Sequence, residues 1–235
     1  MRIRTVKLTL DKHVKQDPRI LKVYFEARRR YSEAGREHHN FTHVMRDLYR
    51  SLVIAREESS VDYGILIPAV LLHDIGFCTQ KHIKVGHDVA GAELAMQILP
   101  PLGYASPTIQ AISHCIRAHK GLAELPQSLE AKILYDADVL EKAGLVFLFF
   151  AGRITVEFKE TVEHFLKRDI SHREKEISRG FYTQKAREMD GGRLAILRSM
   201  LQRIQKEIKE ERIDYSVTEK DLWLEPPESH STSIP

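Results

Sequence analysis

The chain has little with which to staple itself together. Its 235 residues include only two cysteines, Cys78 and Cys115, too few for a disulfide framework, yet it is long enough to bury a sizeable core without one. No N-terminal stretch joins basic residues to an apolar segment and a cleavage site, so the expected location is intracellular and cytoplasmic. Long hydrophobic runs are also missing. The longest, 65–72 and 144–151, fall far short of the roughly 20 residues a helical membrane span needs. Neither sign of charge dominates, with 36 Lys and Arg against 33 Asp and Glu and a net charge of +3. That balance gives no field calling for nucleic acid as an obligatory partner. Tight-turn signals flanked by alternating apolar residues are absent, as is any fixed-period repeat. These absences leave an all-α fold.

What is abundant is histidine. There are 12, several in one stretch beside acidic residues, and that clustering needs an explanation.

Residues 1–17 are polar, basic and weakly periodic, which reads as an N-terminal arm, either a loose strand or disordered. Ile20, Leu21, Val23, Tyr24, Ala27 and Tyr31 then recur at helical spacing, and Phe41, Val44, Leu48, Leu52 and Ala55 mark a second helix carrying His39 and His43 on one face. An apolar helix runs from Asp62 to His73, with Pro68 forcing either a start near Ile67 or a kink. Helices follow over 89–99, ended by two prolines, and from Ser106 as N-cap with Pro107 behind it. Another spans 129–144, and two long charged helices occupy about 155–178 and 182–212. The expected organisation is an arm at 1–17, a helical core at 18–150, a helical extension packed on it at 151–213, and a polar tail at 214–235.

His73 and Asp74 stand directly after the buried run that ends Leu71-Leu72. They place a neutral nitrogen and an anionic oxygen at one point on the core's edge. For a lone dipeptide a helix-end cap is the better reading. However, His43, His87, His119 and Asp138 each put a ligand-type residue beside an apolar helical face. Burying so many titratable groups without a shared cation is costly, which favours a metal site. Imidazole with carboxylate suits divalent Mn, Fe, Co, Ni or Mg, whereas a structural zinc site usually recruits thiolates. His119 extends the stripe Ile109, Ile112, Ile116, while His114 points roughly 140° away. His119 is therefore the better candidate.

The order His43, His73-Asp74, Asp138 resembles the HD superfamily of metal-dependent phosphohydrolases. Supporting text is His43-Val-Met-Arg46, Leu-Leu-His-Asp-Ile-Gly at the doublet, and Leu129-Glu-Ala-Lys-Ile-Leu-Tyr-Asp-Ala-Asp-Val-Leu. The last segment is similar to that of the small bacterial and archaeal HD hydrolases, and the likeness extends over roughly residues 20 to 210. Asn40 stands where this subgroup often has Asp, and Val139 replaces its usual Arg. The resemblance implies an HD-domain helical bundle over 18–150 with a C-terminal helical extension. It also implies His43, His73, Asp74 and Asp138 as metal ligands, with His87 and His119 as the extra ligands of a two-ion site bridged by Asp74. One or two divalent ions per chain would serve hydrolysis of a phosphoester or nucleotide phosphoanhydride by metal-activated water. Asp74 is the expected catalytic residue and possible proton acceptor, and Lys81 and Lys120 the expected substrate-binding residues. The partner is a small phosphorylated substrate, with nucleotides the leading class. The alternatives are a di-iron oxygenase of the HD type and a non-catalytic nucleotide-binding sensor.

Overall fold

The computed structural model describes residues 3–210, which contain helices and no strand. The expected tail at 214–235 lies outside these residues. Residues 3–16 are not a loose arm: α1 (Ile3–Gln16) is a helix. Leu10 and Val14 pack on the main core, and the ring of His13 stacks 3.9 Å from that of Tyr63. These three positions share one face at spacings of three and one, a pattern too short to stand out in a polar sequence.

The core helices are α2 (Arg19–Ala34), α3 (Phe41–Ala55), α4 (Tyr63–Leu72), the single turn α5 (His82–Val85), α6 (His87–Ile98), α7 (Ser106–Ala118) and α8 (Leu129–Lys142). Central among them is α4, which packs against α2, α3, α7 and α8. Its residues 66–72 are all buried, as expected of a helix apolar on every side. It begins at Tyr63, where the Asp62 carboxylate accepts from Gly64 N at 2.8 Å, and runs through Pro68 rather than starting there. In contrast to the expected Ser106 cap, α7 begins at Ser106 itself, preceded by Ala105 with no side-chain cap.

Two local devices aim residues that matter below. Asn40 accepts from Thr42 N at 3.0 Å and His43 N at 3.2 Å, so the cap expected of Asp is supplied equally well by Asn. After the doublet the chain turns at Gly76, where a Cβ would lie 2.1 Å from His87 O. Only glycine lets this turn pass so close to the start of α6.

Among the described residues the C-terminal helices are four rather than two: α9 (Phe147–Phe158), α10 (Val162–Arg179), α11 (Gln184–Asp190) and α12 (Arg193–Glu210). Lys159 in the left-handed region and the Thr161 cap separate α9 from α10. Gly191 and Gly192, both at positive φ, separate α11 from α12. Phe147, Ile154, Phe165, Leu197 and Leu201 form a second, smaller apolar cluster. It includes residues of α9, which straddles position 150. No helix among the described residues is long and apolar enough to cross a membrane.

Candidate metal centre

Five helices position the site. His43 lies in the first turn of α3, His73 and Asp74 directly follow α4, His87 opens α6, His119 directly follows α7, and Asp138 lies on α8. Among these, His87 has 15% of its side chain exposed, and the others are buried. They gather into two groups, one of His43, Asp47, His73 and Asp138 and one of Asp74, His87 and His119. Within each, one donor atom per residue lies within 4.8 Å of the rest. Asp74 belongs to both in geometry. Its Oδ2 is 3.1 Å from His43 Nε2 and 3.5 Å from His73 Nε2, and its Oδ1 is 3.2 Å from His87 Nε2 and 3.5 Å from His119 Nε2.

Whether this set suits a cation is decided by where the imidazole protons sit. His73 Nδ1 donates to Val70 O at 2.8 Å and His119 Nδ1 to Ile116 O at 2.6 Å. A carbonyl can only accept, so both rings carry their proton on Nδ1 and turn an Nε2 lone pair inward. Glu141, accepting from His43 Nδ1 at 3.1 Å, does the same for His43. The result is that His43 Nε2 faces His73 Nε2 at 3.2 Å, and His119 Nε2 faces His87 Nε2 at 3.2 Å. Without metal, the raised His43 and His119 rings carry a proton into these contacts; a divalent ion bonded to the Nε2 atoms would take that proton's place. The buried Asp47 Oδ2 has no hydrogen-bond partner and lies 3.3 Å from His43 Nε2. The residues fit divalent ions, with outer partners that fix ligand orientation as metal-bound histidines require.

Charge within the cluster follows from the same packing. Burial pushes His73 down to about 4, and burial together with Lys120 holds His87 well below its usual value. Burial also opposes charge on His43, but Asp47, Asp74 and Glu141 outweigh it and raise that group well above 6.5. The surrounding His73, His119, His43 and His87 overcome burial at Asp74 and keep its carboxyl far below the normal range. Behind His43, the Glu141 carboxylate accepts from Arg46 and pairs with Arg50, and Arg50 reaches Asp47 Oδ1 at 3.0 Å.

The centre forms the floor of a cavity of about 540 Å³. Lys120 lines it, as do Phe77 and, from the C-terminal helices, Phe158, Arg168, His172 and Arg173. Lys81 does not reach it: the side chain is about half exposed and pairs with Glu93. His114 lies outside as well, bonded to Glu124 at 2.7 Å. Asp136, two residues before Asp138, faces away and accepts from Tyr182 N, Thr183 N and Thr183 Oγ1. Sequence reading missed Asp47, although its signal was present: it lies one turn beyond His43 on the same face. It also missed the α10 cations, for which no local pattern exists.

The HD domain family model matches residues 40–143, the span from the cap of α3 to the end of α8. A predicted HD superfamily hydrolase from an uncultured Thermotogales bacterium is 30% identical, over 80% of this chain and 90% of that one, with a TM-score of 0.49. The chain belongs to the HD superfamily. Two solved structures share the HD protein's fold. One, from Lactobacillus plantarum, is 15% identical with a TM-score of 0.64, over 83% of this chain and 98% of that one. The other, Bacillus subtilis YpgQ in complex with ADP, is 20% identical with a TM-score of 0.53, over 81% and 97%. No curated protein is significantly similar to the chain. Family and buried donor set together support a metal-dependent hydrolase.

Proposed function

We propose that this HD protein hydrolyses a phosphoester or nucleotide phosphoanhydride. The observation that carries the reading is the position of Asp74, one oxygen toward each donor group, on the floor of a cavity walled by cations. His43, His73, Asp74 and Asp138 would hold one divalent ion and Asp74, His87 and His119 a second, supplying Lewis-acid polarisation of a phosphoryl oxygen and a more acidic water.

The chain's own groups do the rest. Asp74, kept ionised by four surrounding imidazoles, is the shared anionic donor. Lys120 on the cavity wall provides a positive charge for the non-reacting phosphate oxygens. Lys142 holds Asp138 Oδ2 at 2.5 Å, fixing that carboxylate at the floor. Phe77, stacked 4.0 Å from the His87 ring, covers one side of the floor and limits water there. Arg168 and Arg173 also line the cavity, paired there with Glu160 and with Glu176 and Asp169, and the ADP held by YpgQ makes nucleotides the first class to assay.

The test is phosphate release from a panel of phosphomonoesters, phosphodiesters and nucleotides, using protein carrying the metal with which it is purified. Release from at least one class, lost in Asp74→Ala, is the expected result. Iron content with oxygen uptake and no phosphate release would instead assign the oxygenase chemistry. Stable nucleotide binding without turnover of any substrate would indicate a sensor.

A further inference from the structure

The two donor groups are not equivalent. Asp74, His87, His119, His43 and Asp138 line the cavity, but His73 and Asp47 do not. Both are fully buried behind the floor, each with no exposed surface. The family pattern of His, His-Asp and Asp accounts for His73. It does not account for Asp47, a carboxylate in the middle of α3 between the core residues Val44 and Leu48.

A carboxylate so placed needs a counter-charge, and its two oxygens differ in what they have. Oδ1 accepts from Arg50 at 3.0 Å. Oδ2 has no hydrogen bond and points at the imidazole nitrogens, 3.3 Å from His43 Nε2 and 3.6 Å from His73 Nε2. Adjacent donors around an ion with bonds of about 2.1 Å stand roughly 3.0 Å apart in an octahedron and roughly 3.4 Å in a tetrahedron. Five of the separations among His43 Nε2, His73 Nε2, Asp74 Oδ2 and Asp47 Oδ2 run from 3.1 to 3.6 Å, within about 0.2 Å of those spacings.

We propose that Asp47 is a fifth protein donor to the deeper ion, which is thereby a closed, structural one, and that substrate meets the ion held by Asp74, His87 and His119. The proposal rests on the two-ion reading above. Five protein donors, His43, Asp47, His73, Asp74 and Asp138, leave a six-coordinate ion a single free position, too few for both a water and a substrate oxygen. The shallower group has three protein donors, opens on the cavity, and adjoins Lys120. Three carboxylates also make the deep site the more anionic and oxygen-rich, so it selects a hard ion such as Mn(II) and fills first.

The experiment is titration of chelator-stripped full-length protein with Co(II) followed by its visible spectrum, and with Mn(II) followed by calorimetry. In the wild type the first equivalent of Co(II) gives the weak absorption of a five- or six-coordinate ion. Asp47→Asn alters that band and weakens the tighter Mn(II) event at least tenfold, leaving the weaker event unchanged. A strong four-coordinate band from the first equivalent in the wild type would overturn the proposal. So would an Asp47→Asn protein with an unaltered band and unaltered affinities. If the variant does not fold, the wild-type spectrum still decides. Wild-type protein that takes up only one ion removes the two-ion reading itself, a result separate from either outcome for Asp47.

Discussion

Replacing Asp136 and Asp138 separately tests the register of α8, because neighbouring carboxylates on one helix are assigned unrelated work. Asp136 accepts from Tyr182 N at 2.9 Å, Thr183 N at 2.8 Å and Thr183 Oγ1 at 2.7 Å, tying the start of α11 to the core. Thr183 is buried, so Asp136→Ala strands its two donors, at about 1.5 kcal/mol each, or about 3 kcal/mol in all. For a chain of this length that lowers the melting temperature by roughly 6–12 °C. Metal uptake should survive. Asp138→Asn should do the reverse, melting near the wild type when stripped of metal but losing the stabilisation that metal confers. That stabilisation is about 2.7 kcal/mol at a free ion concentration one hundred times Kd. Thermal melts of both variants with and without Mn(II) give all four values. An Asp136→Ala protein that melts like the wild type yet fails to respond to Mn(II), or an Asp138→Asn protein that keeps the full response, would refute the assignment.

Further outcomes follow from the same geometry. Asp74→Ala should lose both ions and all turnover while circular dichroism stays helical, and stoichiometric metal in that variant would contradict its bridging role. His87→Ala and His119→Ala should each take metal content from about two per chain towards one, with His114→Ala unchanged; elemental analysis distinguishes them. Lys120→Ala should lower kcat/KM roughly tenfold, a loss of about 1.4 kcal/mol, with metal content intact, and loss of metal would show that Lys120 acts on the ligands instead. The metal-free protein should lose stability on acidification. Burial holds His38 at about 3 and His73 and His172 at about 4, below the unfolded value of about 6.5. From pH 6.5 down to 4 the unfolded chain therefore binds protons that the folded chain refuses, and the stability these groups contribute is lost as pH falls. Asp47 and Asp136, raised by burial to about 7 and about 6, take up protons in the folded chain over the same window and act in the opposite sense but are fewer, while the stability from the raised His43 and His119 is already fully present below 6.5. A melting temperature that rises from pH 6.5 to 5 in chelator would contradict this balance.

Much of this arrangement was legible because helical period and polar exceptions to it coincide. His119 stood out against Ile109, Ile112 and Ile116, and the doublet against the apolar run of α4, so the six donor positions could be named before their convergence was seen. Asp47 was not named, although it lies one turn beyond His43 on the same face; its burial comes from the packing of α3 against α8. Lys81 failed for the opposite reason. Adjacency to the doublet in sequence says nothing of direction, and Glu93 on α6 draws its ammonium away from the cavity. The breaks at Thr161 and at Gly191-Gly192 were written in cap and turn residues, but strong charge periodicity on either side masked them. The far wall of the cavity depends on how α10 folds back over the floor, which no local signal encodes.

If the inward imidazole nitrogens and the two oxygens of Asp74 hold two ions, anomalous diffraction from crystals soaked in Mn(II) will locate both. Two peaks should appear, one among His43, His73 and Asp138 and one between Asp74, His87 and His119, each within bonding distance of Asp74. A single peak, or peaks away from Asp74, would show that Asp74 does not bridge two ions.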